Sequence, residues 1–296
     1  MTDSSTLAEL VNHLVPTPGI VETEWPGLVV FRIVEPMART PVVYTPCLCV
    51  VAQGEKYAYL GDQTYRYNPD SYLLCSLPLP IESEIKSAST AAPLLGLVLR
   101  FDPSVAGAIL LEMDEYVAWP DSSSQPAIAP CPMSSGVHRA ITRLLEAVAS
   151  PMERRILGPG LQREFLFEVL RGENGHLLRE FVLRDSRAHR VSRVVSYLEK
   201  NFRENLDIKQ IARQAGMSPS ALHDHFKRTT SLSPMQFVKR MRLHEARALL
   251  LGGRGASETA FEVGYSSPSQ FSREFRRMFG QSPSRLRAAE EAPQGI

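Results

Sequence analysis

Two stretches of this 296-residue chain carry one pattern. The first is IARQAGMSPSALHDHFKR, from Ile211 to Arg228, and the second is TAFEVGYSSPSQFSREFRR, from Thr259 to Arg277. Ala212, Gly216, Leu222, Phe226 and Pro234 align with Ala260, Gly264, Phe271, Phe275 and Pro283. The offset is 48 residues before the turn and 49 after it, so the second copy has one extra turn residue. Each copy reads as a short helix with a small residue, a glycine turn, and a second helix opened by Ser-Pro. That is a helix-turn-helix. Alanine lets the paired helices approach closely. Glycine takes a positive φ without a Cβ penalty. Proline at the first helical position lacks a donor that would be unpaired there in any case. Leu222 with Phe226, and Phe271 with Phe275, are i,i+4 pairs that hold the second helix on its core.

Removing the inward residues leaves an outward face. It consists of Ser220, His223, Asp224 and Lys227 in the first copy, and Ser269, Gln270, Arg273 and Arg276 in the second. These hydroxyl, imidazole, carboxylate, amide and cationic groups are those that contact base edges and phosphates. One such helix fits a major groove, and two held rigidly reach successive major-groove segments about 34 Å apart. The stretch 234–251 reads as the bracing helix between them. Val238, Met241, Ala246 and Leu249 are expected inward, and Lys239, Arg240 and Arg242 outward.

Charge divides the chain the same way. Residues 1–186 hold 14 Lys and Arg against 22 Asp and Glu, whereas residues 187–287 hold 19 against 8. An acidic half followed by a basic one points to a polyanionic partner, double-stranded DNA, for the second half only.

The first half reads as β structure over about 20–101. The runs 28–34, 41–51 and 94–101 are rich in β-branched and other apolar residues. The run 55–68 alternates on either side of a Gly61-Asp62 turn, a hairpin signal. Short strands this close predict an antiparallel barrel or sandwich. Helices are expected at 102–116, 134–150, 161–172 and 176–183, with 119–133 as a loop. The domain boundary is expected near 184–190, giving 1–186 and 187–296 as the two units of an α+β chain.

Four cysteines, at 47, 49, 75 and 131, make no disulfide framework in a chain this long. Cys47 and Cys49 share one face of a strand. They read either as small buried hydrophobes or as sensor thiols. Further ligands for zinc are not evident near them. His223 and His225 point about 200° apart on a helix and cannot chelate one ion, so neither metal nor cofactor is expected. Tyr44, Tyr57, Tyr59 and Tyr72 fit either a ligand cavity or surface pairs across strands. The segment 251–255, LGGRG, lacks the Lys-Ser/Thr of a phosphate loop and follows a helix, so it reads as a helix stop. The N-terminal residues carry no signal-peptide pattern, and the longest apolar run, 91–99, is too short to cross a bilayer. A cytoplasmic protein with no membrane partner is expected.

The run from Ala260 to Arg287, AFEVGYSSPSQFSREFRRMFGQSPSRLR, closely resembles the DNA-binding domain of the AraC/XylS family of bacterial transcription regulators. The resemblance extends over about 187–288. Residues 45–85 resemble the cupin-like N-terminal domain of one branch of that family. The resemblance implies an N-terminal cupin-like β-barrel with following helices that senses an effector and dimerises. It implies a C-terminal all-α domain with two helix-turn-helix motifs. It also implies transcription activation, a homodimer, an unknown small-molecule effector or redox signal, and RNA polymerase as a further partner. It places Ser220, His223, Asp224 and Lys227 on the first reading helix, and Ser269, Gln270, Arg273 and Arg276 on the second. No catalytic motif is visible, so no enzyme activity is expected. A metal-free cupin enzyme with an appended helical domain is the alternative, and a DNA-binding measurement separates the two. A non-specific nucleoid-type binder is a further rival, which a footprint without preferred sequence identifies.

Overall fold

The computed structural model describes residues 6–113, 126–182 and 187–286. Thr6 caps the first helix, α1 (Leu7–Leu14), in a reciprocal pair with Glu9. This helix adds to the elements expected from the sequence. Nine strands follow: β1 (Gly19–Glu22), β2 (Leu28–Ile33), β3 (Met37–Tyr44), β4 (Cys47–Gln53), β5 (Lys56–Leu60), β6 (Gln63–Tyr67), β7 (Ser71–Cys75), β8 (Leu79–Ile85) and β9 (Leu94–Arg100). After α2 (Pro103–Met113) comes a last strand, β10 (Ile128–Pro132).

The strands form two antiparallel sheets. One has the order β1-β2-β9-β4-β7-β10 and the other β3-β8-β5-β6. The Gly61-Asp62 hairpin is present, with Leu60 opposite Gln63 and Gly61 at φ 60°. Both faces of β4 are buried, which is why its sequence is nearly continuous apolar residues. Leu48 and Val50 face a helical layer together with Leu28, Val30, Leu74, Leu97 and Leu99. Cys47, Cys49 and Val51 face the second sheet, where Tyr44, Ala58, Leu60, Tyr67, Leu79 and Ile81 meet them.

β10 lies in a stretch expected to be a loop. It pairs with β7 at the sheet edge, where Pro130 and Pro132 are tolerated because the outer side needs no donor. The helical layer also contains α3 (Ser135–Val148), α4 (Pro151–Leu170) and α5 (Gly175–Val182). α4 starts ten residues before the expected 161, because Ser150 caps it and Pro151 opens it. It runs on through Pro159, and the adjoining Gly158 leaves room for the Trp25 ring.

The second half is all helical: α6 (Arg187–Asn201), α7 (Ile208–Gln214), α8 (Pro219–Thr230), α9 (Pro234–Leu251), α10 (Ala256–Glu262) and α11 (Pro268–Phe279). The core of the first helix-turn-helix, with Leu222, Phe226, Phe237 and Val238, is continuous with the core between the two sheets. The second helix-turn-helix has its own core of Leu243, Ala246, Leu250, Ala260, Phe271 and Phe275. Polar and close contacts also pin the halves together. Ala127 N–H donates to the Thr229 carbonyl at 2.8 Å, Arg240 Nη1 reaches the Pro80 carbonyl at 3.5 Å, and the Gly61 turn abuts Ser231. No helix among the described residues is long and apolar enough to cross a membrane.

Candidate nucleic-acid interface

The two reading helices are built alike. Ser218 caps α8 by accepting from Ala221 N–H, and Ser267 caps α11 by accepting from Gln270 N–H; each is followed by proline. Gly216 has φ 66° and Gly264 φ 91°, as the turn position demands. The second glycine is constrained further, because a Cβ there would stand 2.3 Å from the Arg203 carbonyl oxygen. Both helices end in left-handed backbone, at Ser231 (φ 57°) and Gly280 (φ 74°).

Ser220, His223, Asp224 and Lys227 are exposed on α8, and Ser269, Gln270, Arg273 and Arg276 are exposed on α11. The inward partners Leu222, Phe226, Phe271 and Phe275 are fully buried, so each helix turns its polar face away from the body of the protein. His223 lies 3.8 Å from Asp224, and His225 instead bonds Arg228 at 3.1 Å, so the two imidazoles do not converge. No group of three or more potential metal ligands occurs among the described residues.

The bracing helix corrects one expectation. Arg240 and Arg242 do not point outward into solvent. Arg242 donates to the carbonyls of Phe202 (2.6 Å), Gly264 (2.8 Å) and Glu204 (2.8 Å), tying α6, the second turn and α9 into one unit. A guanidinium has enough donors in one plane for this. Burial lowers its pKa, as it does that of Arg240, which lies against β8. Lys239 is paired with Glu274 of α11 at 2.9 Å. The apolar pattern of 234–251 gave the helix, but carbonyl groups on other segments decide where its cations go, and no local pattern encodes those. Glu274 and Tyr265, whose side chains meet at 2.7 Å, were also missed. The i,i+4 spacing of Gln270 and Glu274 was the available signal.

Inside the sandwich, Cys47 and Cys49 are both buried, with Sγ atoms 3.9 Å apart. Their shared hydrogen bond, then burial, pushes the Cys47 thiol well up. The same bond pulls Cys49 down, helped by Lys56 and Tyr44 and opposed by burial. The Lys56 ammonium stands 5.3 Å from the Phe31 ring centre and 5.6 Å from that of Tyr44. Tyr44 and Tyr67 hydroxyls are 3.2 Å apart. Tyr57 and Tyr59 alternate to the other face, where they bond Glu55 and Glu84. Tyr72 is buried on the helix side of its sheet. The four tyrosines therefore do not line one cavity.

Residues 24–177 match the family described as "AraC-type transcriptional regulator N-terminus", and residues 211–289 match a helix-turn-helix domain family. This chain belongs to the AraC-type transcriptional regulators. Among curated relatives of this regulator, the HTH-type transcriptional activator RhaS of Klebsiella pneumoniae is 30% identical over 158 residues, covering 52% of this chain and 54% of RhaS. RhaS of Escherichia fergusonii is 34% identical over 104 residues, covering 35% and 37%. The chain thus spans about half the length, or less, of the curated relatives it matches. Among solved structures, ToxT from Vibrio cholerae in an unsaturated-fatty-acid-bound form superposes with a TM-score of 0.56 at 12% identity, covering 90% of this chain and 96% of ToxT. A second ToxT structure, at 0.57 and 12% identity, covers 88% and 97%. At that identity the likeness shows the two-domain fold.

Proposed function

We propose that this AraC-type regulator is a sequence-specific DNA-binding transcription activator. It acts as a dimer and answers an effector or redox signal received by its N-terminal half. The observation that carries this is the exposure of all eight polar side chains on α8 and α11 while the two helices stay anchored by buried Leu222, Phe226, Phe271 and Phe275. The half that bears them is also the basic one. Activation is supported by the similarity to RhaS, itself described as an activator. An effector is supported by the similar fold of ToxT, which was solved with an unsaturated fatty acid bound. Cys47 and Cys49 are the candidate thiols for a redox signal. Dimerisation is supported by apolar side chains left exposed on α2 and α4: Leu111, Met152, Ile156 and Leu157. A second DNA-binding domain on the same particle raises the effective concentration at its half-site. RNA polymerase is the further partner of an activator in this reading.

Footprinting against a promoter library tests the proposal, followed by binding of Arg273→Ala. Loss of about 1–3 kcal/mol on the selected site identifies a base contact, and a salt slope reduced by about one identifies a phosphate contact. Protection without any preferred sequence, or no effect of Arg273→Ala on either quantity, overturns it.

A further inference from the structure

We propose that Glu274 fixes the hydrogen-bonding sense of the Gln270 amide, so that α11 selects a base carrying an exocyclic amino group in the major groove. The inference rests on the reading that α11 enters that groove. Glu274 sits one helical turn after Gln270 and is half-buried at the edge of an open groove between α9 and α11. It receives three donors: Tyr265 Oη at 2.7 Å, Lys239 Nζ at 2.9 Å and Gln270 Nε2 at 3.4 Å. Burial pushes its carboxyl up, and the three donors outweigh burial and hold it below its ordinary value.

An ionised carboxylate only accepts, so the Gln270 amide must turn its NH2 toward Glu274. Its Oε1 is then left facing outward on an exposed side chain. In the major groove the only base donors are the amino groups of adenine and cytosine. Guanine and thymine offer oxygen acceptors at the same place, which leaves the glutamine oxygen unpaired. Free glutamine has no such bias, because its amide can face a base either way round. Glu274 is therefore a positioning residue, acting through Gln270.

The first copy has no such device. The offset of 49 puts Ala221 opposite Gln270 and His225 opposite Glu274. His225 turns to Arg228. The two reading helices thus recognise bases by different means, despite their shared frame.

Selection of bound sequences from a random duplex library tests this, using the full chain as wild type, Gln270→Ala and Glu274→Gln. In the wild-type site, the column that loses its bias in Gln270→Ala is expected to divide adenine and cytosine from guanine and thymine on the contacted strand by about fivefold, the worth of one hydrogen bond, and replacing its adenine or cytosine by the analogue that lacks the exocyclic amino group is expected to cost the same factor. Glu274→Gln is expected to admit guanine or thymine into that column alone, since an amide partner satisfies either orientation of Gln270. No loss of binding with the analogue that lacks the amino group, a column unmoved by Glu274→Gln, or no column lost in Gln270→Ala overturns the inference while leaving sequence-specific binding intact. A wild type that enriches no sequence overturns both. Should Glu274→Gln not fold, the base analogue that lacks the amino group still decides with the wild type alone.

Discussion

Gly216 and Gly264 hold the same place in the two hooks but under different constraints. Both lie in left-handed backbone, yet only Gly264 is pressed against another chain segment, the Arg203 carbonyl. Gly216→Ala is expected to cost about 1 kcal/mol, the conformational term alone. Gly264→Ala adds a collision with backbone that cannot rotate away and is expected to cost about 2–4 kcal/mol; urea unfolding of the two variants measures the difference. Another residue-scale effect sits at His244 of α9. Burial, and then Arg240 and Arg247, lower its pKa to about 4, and its Nε2 has no hydrogen-bond partner among the described residues. The folded value lies below the unfolded value near 6.5, so the unfolded chain binds the proton first. This contribution to stability is complete above about pH 6.5 and declines as pH falls toward 4. At pH 5 the loss is about 2 kcal/mol. His244→Gln is expected to flatten the stability profile between pH 7 and 5 by that amount.

At the scale of elements, Arg242 ties the brace to the loop after α6 and to the turn of the second hook, since its guanidinium joins the carbonyls of Phe202 and Glu204 and that of Gly264. Arg242→Met is expected to destabilise the helical half by about 2–3 kcal/mol, as half-buried acceptors lose a charged donor. Arg242→Lys recovers only part, because a compact ammonium does not span three acceptors. Thermal unfolding followed at 222 nm distinguishes them. The helices themselves were legible in the sequence because caps and i,i+4 pairs are local: Ser218 and Ser267, each followed by proline, announce a helix start, and each caps one. β10 was not legible, since its two prolines argue locally for a loop and only the vacant edge of β7 makes it a strand. The eight outward residues could be read because the duplicated frame singles out the inward ones. Glu274 is signalled only by its i,i+4 spacing from Gln270, and its bonds to Tyr265 and Lys239 depend on how α11 sits against its own turn and against α9.

The whole molecule is not two beads on a string. The core between the sheets and the core of the first helix-turn-helix form one apolar cluster, and α9 lies on β3 and β8 while bracing both hooks. Val43 of β3 is packed against that cluster. A carboxylate placed there should prise the halves apart, so Val43→Asp is expected to turn one calorimetric unfolding transition into two, with the wild type unfolding as a single unit. Tyr65 and the turn at Gly61 both reach Ser231, the residue that caps the end of the first reading helix. A Cβ at position 61 would sit 3.1 Å from the Ser231 carbonyl oxygen, and Ser231 itself is in left-handed backbone. Chimaeras that graft a relative's reader onto this sandwich will meet that corner first: a bulkier hairpin tip displaces the transplanted hook, so exchangeable modules must be chosen with their turns matched and not by domain boundary alone.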